Sequence, residues 1–163
     1  MTEINENENA QGTGNETPGT DPTPTPPTST SVVNLAVESV MDMIDAMKPF
    51  ATITRGALGT GNGLCCEIAP TNTDTVFMDK ESYIPLTLAL NGKHDDLQVL
   101  SETLNNIMDT LTRKTVYTSG NGWEIVDITN GNLPRVIGRE GNGSWLMSCD
   151  LIVKLYRKDE TTA

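Results

Sequence analysis

The C-terminal third of the chain reads WEIVDITNGNLPRVIGREGNGSWLMSCDLIVKLY over residues 123–156. Asn-Gly pairs at 130–131 and 142–143 divide it into three runs that are rich in apolar residues. Tight hairpin turns favour Asn-Gly because both residues tolerate positive φ, which suits the twist of the flanking strands. The sequence therefore predicts a C-terminal β-meander with strands at 123–128, 134–139 and 144–156, and a surface rather than an active site.

Two segments upstream have the 3.6-residue apolar period of helices that bury one face. The first follows Ser31, a candidate N-cap, and is predicted to stop at Pro49; the second begins at Asp95 or Asp96 and ends near Arg113 and Lys114. The apolar positions of the first are Val33, Val37, Val40, Met41, Ile44 and Met47, and those of the second are Leu97, Leu100, Leu104, Ile107, Met108 and Leu111.

Between these helices the sequence predicts strands at 64–69, 75–78 and 83–90. Pro85 cannot donate to a ladder, so it is expected near the start of its strand or on an edge, and Asn91-Gly92 is expected to end that strand. A single helix separating groups of strands is typical of the α+β class. We therefore expect an α+β domain with a mixed or antiparallel β-sheet packed by two helices.

Residues 1–31 differ from the rest of the chain in composition. They contain no Lys, Arg, Cys or aromatic residue, and they end in Pro-Thr repeats. A segment with so few apolar side chains cannot offset its backbone entropy by burial, so we predict a disordered or extended arm. Its five carboxylates account for five of the eleven net negative charges, which leaves six on a single α+β domain at 32–163.

The residue types that carry catalysis or bind metals are few. His94 is the only histidine, and it precedes a predicted helix, where a capping or solvated role is commoner than catalysis. The glycines of Gly59-Thr-Gly-Asn-Gly63 lack the lysine of a phosphate-binding loop and favour a turn. The carboxylates of two loops fit no calcium-binding pattern; they are Asp74, Asp79, Glu81, Asp95 and Asp96. We predict no enzymatic activity, no catalytic or metal-binding residue and no cofactor.

The remaining side chains of interest are thiols, aromatics and cations. Three cysteines, at 65, 66 and 149, make no disulfide framework and are predicted to be reduced. Trp123 and Trp145 are each core residues or interface anchors. Arg135, Arg139, Lys154, Arg157 and Lys158 give the C-terminal sheet most of its positive charge, so acidic arms or acidic neighbouring subunits are expected partners.

Overall charge and hydropathy narrow the possible binding partners and cellular locations. A pI near 4.3 argues against ordinary DNA binding, which depends on neutralising phosphates, although DNA could still pass the protein without binding. The sequence has no apolar run of about 18 residues and no hydrophobic signal core, so we expect neither a membrane span nor secretion, and synthesis in a cytoplasm.

Five segments that occur in order resemble phage proteins commonly labelled minor capsid protein. They are Asn62-Gly-Leu, Ile84-Pro-Leu-Thr-Leu with Leu90-Asn-Gly-Lys-His94, Leu100-Ser-Glu-Thr-Leu-Asn-Asn106, Gly122-Trp-Glu-Ile-Val-Asp-Ile-Thr129 and Val136-Ile-Gly-Arg-Glu140. The family is similar to the tail-completion or tail-terminator proteins of long-tailed phages of Gram-positive bacteria. The resemblance spans about residues 58–158, and its motifs are structural.

The resemblance implies a virion protein of the tail or neck that forms a homo-oligomeric ring, usually a hexamer, on the end of the tail tube. Its partners would be the tail tube protein and a head-completion or connector protein, and the genome would pass through without specific binding. The long acidic arm departs from the compact N-terminus expected of the family. Trp123, Arg135, Arg139 and Trp145 are the predicted assembly residues. The alternative is a phage-encoded acidic regulatory or host-directed binding module.

Overall fold

The computed structural model describes residues 31–69, 75–76 and 82–157, and in this part of the chain two helices and seven strands form an α+β domain. The helices are α1 (Val32–Asp45) and α2 (Leu97–Thr112). The strands are β1 (Ile53–Arg55), β2 (Gly63–Ile68), β3 (Thr75–Val76), β4 (Ser82–His94), β5 (Ser119–Gly120), β6 (Trp123–Arg139) and β7 (Trp145–Arg157). The predicted α+β class is confirmed. Residues 1–30 of the predicted arm lie outside the described residues.

The strands form one mixed sheet in the order β1-β2-β4-β7-β6-β5, with β3 also pairing with β4. β1 runs parallel to β2, and the other pairs are antiparallel. The β4–β7 pair is in register over its whole length, from Ser82 opposite Arg157 to His94 opposite Trp145. These two strands form the centre of the sheet.

Strand alternation places one set of side chains under the helices. Every second residue of β4 and β7 is buried, among them Leu86, Leu88, Leu151 and Val153. These side chains join the buried faces of α1 and α2 in one continuous core. Fully burying a Leu or Val side chain contributes about 1.5–3 kcal/mol, so this layer supplies most of the driving force for folding.

Both predicted helices are present. The apolar stripe of α2 is buried from Leu100 to Leu111, and the Asp96 carboxylate caps the helix by accepting from the N–H groups of Gln98 (2.8 Å) and Val99 (3.3 Å). Ser31 occupies the N-cap position of α1 without a capping side-chain hydrogen bond.

The end of α1 differs from the prediction. The helix stops at Asp45, four residues before Pro49, and Lys48 has a positive φ of 54°. The Asp45 carboxylate accepts from the Ile53 N–H at 2.9 Å, which ties the helix end to β1. Sequence reasoning missed β1 because it has three residues, of which only Ile53 is buried.

The predicted turn at Asn130-Gly131 is wrong, because β6 continues through it without a break. The register with β7 shifts four times along β6, so the extra residues are accommodated by β-bulges instead of a turn. Gly131 lies close to β7: a Cβ there would be 3.0 Å from the Asp150 Cβ. This glycine permits a close approach between strands.

The second Asn-Gly pair does form the predicted hairpin. The chain turns between β6 and β7, Gly143 adopts a positive φ of 96°, and the Asn142 side-chain oxygen accepts from the Ser144 N–H at 3.0 Å. The C-terminal structure is therefore one long hairpin, β6–β7, with the two-residue β5 outside it.

The predicted strand end at Asn91-Gly92 is also wrong, because β4 runs on to His94. A Cβ at Gly92 would lie 2.6 Å from Leu100 Cδ1, so this glycine allows α2 to pack closely on the sheet. Pro85 is the fourth residue of β4, which confirms its predicted place near the start of a strand. β2 and β3 also match their predictions; positions 77–78 lie outside the described residues.

Candidate assembly surface

The four predicted assembly residues all lie on the β6–β7 hairpin. Trp123 and Arg139 are the first and last residues of β6, and Trp145 is the first residue of β7. Arg139 is opposite Trp145 in the register, and Arg135 is opposite Ser148. The structure thus brings Arg139 and Trp145 together and places Trp123 at the other end of the sheet.

The Arg139 side chain is held by its own hairpin. Its guanidinium carbon lies 4.8 Å from the centroid of the Trp145 ring, and its Nε donates to the Gly143 carbonyl at 2.8 Å. A cation–π contact at an exposed site contributes about 0.5–1 kcal/mol. Trp145 itself is half-buried and packs against the core. This arginine is therefore already oriented within the chain.

Trp123 contacts the core at the start of β6, which is one of the two roles predicted for it. Its indole is half-buried and packs against the core, and its backbone pairs with Gly120 of β5. A side chain at Gly120 would collide with the indole, so glycine is required there for β5 to pair with β6. The outer edge of β6 is consequently covered at its beginning.

The rest of that edge is open. Ile125 donates its N–H to the Thr118 carbonyl at 3.1 Å, and β5 pairs only with Trp123 and Glu124. From Val126 to Arg139 no strand in the described part of the chain pairs with the outer side of β6. Exposed strand edges are templates for pairing with another chain. This open edge is defined here as residues 126–139.

Large apolar side chains concentrate on the open edge. Of the eight large hydrophobic residues that are exposed in the described residues, four belong to it: Val126, Leu133, Val136 and Ile137. Leu133 is 68% exposed and Ile137 is 54% exposed. Scattered apolar residues on a surface are ordinary. A row of them along a strand whose outer side is unpaired is typical of a surface that contacts another protein.

The open edge also carries two opposite charges without intrachain ion pairs. Asp127 and Arg135 lie opposite Lys154 and Ser148, which alternate with buried residues of β7, so both charges are on the face away from the helices. Among the residues described, neither forms a salt bridge. The Lys154 ammonium instead stacks over the Tyr83 ring at 4.5 Å.

A shallow depression lies beside these charges on the same sheet face. It has a volume of about 240 Å³ and is lined by Tyr83, Pro85, Asp127, Thr129, Ile152 and Lys154. Ligand pockets usually enclose about 300–1,000 Å³, so the depression is small for a cofactor or metabolite.

A buried lysine fixes the hairpin end of β6. Lys93 of β4 is 2% exposed, and its ammonium donates to the Gly59 carbonyl at 2.5 Å and lies 3.3 Å from a carboxylate oxygen of Glu140. The glycine-rich loop, β4 and the β6–β7 turn meet there. Sequence reasoning missed Lys93 because the predicted strand ends before it, which places this lysine in a loop, where burial is not expected.

The three cysteines and His94 occupy positions within the framework of the domain. All three cysteines are free and buried, and burial raises the pKa of Cys66 to about 11 and that of Cys149 to about 12, far from the range of an activated thiol. His94 ends β4, and its Nδ1 accepts from the N–H of Asp96, the N-cap of α2, at 2.9 Å. The described residues contain no group of three His, Cys, Asp or Glu side chains arranged to hold a metal.

These features define an α+β domain whose most distinctive surface is an apolar, unpaired sheet edge. No protein-family profile and no curated protein sequence matches the chain. Neither helix of the described part is long and apolar enough to cross a membrane.

Proposed function

We propose that this chain is a structural virion protein that forms a ring on the end of a phage tail tube and joins it to the head-completion proteins. The observation that carries the proposal is the open edge of β6, a row of exposed apolar side chains on a strand without an outer partner. Such an edge is a surface for another protein chain rather than for a small molecule.

The segments that resemble the minor capsid family support the same proposal through their positions. They lie in β2, β4, α2 and β6, the elements that build the sheet and its helical cover. Ile84–Leu88 and Leu90–His94 both belong to the central strand β4. Because the similar segments lie in the elements that build the domain, the resemblance fits a shared fold with a role in assembly.

The acidic charge supports a passive relation to DNA. With a net charge of −11, the chain repels a polyanion except at local basic patches, which suits a conduit through which a genome slides.

The test is the location and stoichiometry of the protein in particles. We expect antibodies against the chain to label the neck or upper tail, and native mass spectrometry of the assembled form to give about six copies of the 17.6 kDa chain. A protein that is absent from purified particles and never forms a ring would overturn the proposal. It would favour the regulatory or host-directed binding module instead.

A further inference from the structure

We propose that, in the free protein, the open edge of β6 pairs with the open edge of a second copy, antiparallel and centred on Gly131. The contact is two-fold symmetric, so each copy supplies the same residues. It concerns self-association before any particle is built and does not rest on the proposed function.

The sequence of the open edge complements itself about Gly131. In an antiparallel pair centred there, Val126 is opposite Val136 and Asp127 is opposite Arg135, each twice by symmetry. Cross-strand pairs of β-branched residues and of opposite charges each contribute about 0.2–1 kcal/mol. The segment thus offers a second copy the matched partners that strand pairing needs.

The structure places the charged pair correctly for this contact. Asp127 and Arg135 point to the same face of the sheet, as residues that meet across two strands must. Neither has an ion-pair partner within the described chain, although the domain is acidic and its carboxylates outnumber its cations. Two reciprocal Asp127–Arg135 pairs would supply those partners.

The sequence predicts a hairpin at this point, because Asn130-Gly131 suits a tight turn. If Asn130-Gly131 formed a turn, the two halves of β6 would pair with each other within one chain. The structure instead keeps β6 extended through these residues. Each half therefore lacks its hairpin partner. A second copy of the chain supplies this missing partner strand, as in domain swapping.

The pairing has a natural limit at each end and one weak position. β5 covers Trp123 and Glu124, so pairing starts at Val126 and, by symmetry, ends at Val136. Pro134 has no N–H and cannot donate across the contact, and by symmetry this applies to Pro134 of each copy.

A two-fold contact closes a dimer, whereas a ring on a tube end needs head-to-tail contacts. The β6 dimer is accordingly a state of the unassembled protein, and it covers an edge that would otherwise pair indiscriminately. On assembly, another protein chain would replace the second copy as the partner of the open edge.

Charge exchange tests the contact without removing any part of the chain. We expect the wild-type protein to sediment as a dimer at micromolar concentration, and Asp127→Arg or Arg135→Asp alone to weaken dimerisation by about tenfold or more through like-charge contacts. An equimolar mixture of the two variants should restore a dimer, because opposite charges again face each other. Asp42→Arg, on the exposed face of α1, is the matched control and should leave the mass unchanged.

Site-specific cross-linking provides an independent readout if a charge variant folds poorly. Val126→Cys and Val136→Cys proteins, mixed and mildly oxidised, should form a disulfide-linked dimer because antiparallel neighbours bring Cβ atoms to about 4.5–5.5 Å. Val116→Cys is more exposed than either position but lies off the edge, and should not cross-link. A wild-type monomer, a dimer that tolerates both charge reversals, or equal cross-linking through position 116 would overturn the proposal. A hexamer that is unaffected by these changes would also overturn it while leaving the proposed ring intact.

Discussion

The ammonium of Lys93 lies 3.3 Å from the carboxylate of Glu140, and the two residues join the central strand β4 to the turn that ends β6. Lys93 is almost fully buried, whereas the Glu140 side chain is 38% exposed. Their separation in sequence is 47 residues, so the pair closes a long loop. It determines how the hairpin sits against the glycine-rich loop.

Replacing Lys93 should therefore destabilise the domain. We expect Lys93→Met to lower the free energy of unfolding by about 1–2 kcal/mol, because the Gly59 carbonyl loses its buried donor while the side-chain volume is kept. Glu140→Gln should also be destabilising, because it leaves the buried Lys93 ammonium without its counter-charge. Urea unfolding measures both, with the exposed Lys48→Met as the control, and a Lys93→Met protein as stable as Lys48→Met would contradict the assignment.

Gly92 should tolerate no side chain while Leu100 is present. A Cβ at this position would lie 2.6 Å from Leu100 Cδ1, so Gly92→Ala should cost about 1–3 kcal/mol by overpacking the contact between β4 and α2. In a Leu100→Ala background the same change should cost less by about 0.5 kcal/mol or more, since the nearest obstruction is gone and only Leu64 Cδ2, at 3.1 Å, remains close. Additive effects in this double-mutant cycle would show that the two sites do not touch.

The capping carboxylate of α2 should be worth about 1 kcal/mol. Asp96→Ala removes the acceptor for the N–H groups of Gln98 and Val99, and such losses cost about 0.5–2 kcal/mol. Asp96→Ser keeps a capping oxygen and should recover most of the stability. Thermal unfolding followed by circular dichroism distinguishes the variants; equal melting temperatures for Ala and Ser would argue against the cap.

The buried thiols predict a loss of stability at alkaline pH. Burial raises the pKa of Cys149 to about 12, whereas an unfolded thiol titrates near 8.5, so the folded state holds its proton more tightly. Stability from this group is fully present below pH 8 and falls by up to about 1.4 kcal/mol per pH unit above about pH 9. The Cys66 thiol, whose pKa is about 11, adds to the decline.

Cys149→Ala isolates this effect from the titration of lysine and tyrosine. The variant should be less stable than wild type at pH 7 because it leaves a small cavity, but its unfolding free energy should decline less steeply between pH 9 and 10.5. Guanidinium titrations at several pH values measure the slope. Parallel slopes for the two proteins would mean that the thiol does not titrate differently on unfolding.

Sequence patterns predicted the helices of this domain better than its longest strand. The buried stripe of α2 recurs over four turns, so a 3.6-residue period is unambiguous from Leu100 to Leu111. Asn130-Gly131 is ambiguous in a way that periodicity cannot resolve. Its two residues suit a hairpin turn, but they also suit a bulged strand in which Gly131 approaches Asp150, and the pairing with β7 selects the second.

The candidate surface could be predicted only in part, because it too depends on how the strands pair. Residue type alone indicates the four predicted assembly residues, which do lie on one hairpin: Trp123, Arg135, Arg139 and Trp145. Their distribution along the hairpin follows from the unbroken β6. Lys93 and the open edge depend on which strands are neighbours. Strand order is a tertiary property that alternation of polar and apolar residues does not encode.

The unequal lengths of the hairpin strands have a mechanical consequence. β6 uses 17 residues to span what β7 spans with 13, so at about 3.3 Å per residue its contour is longer by about 13 Å. The excess has to bow or coil the outer strand. The open edge therefore differs in shape from a straight, regular strand, which could match it over only part of its length.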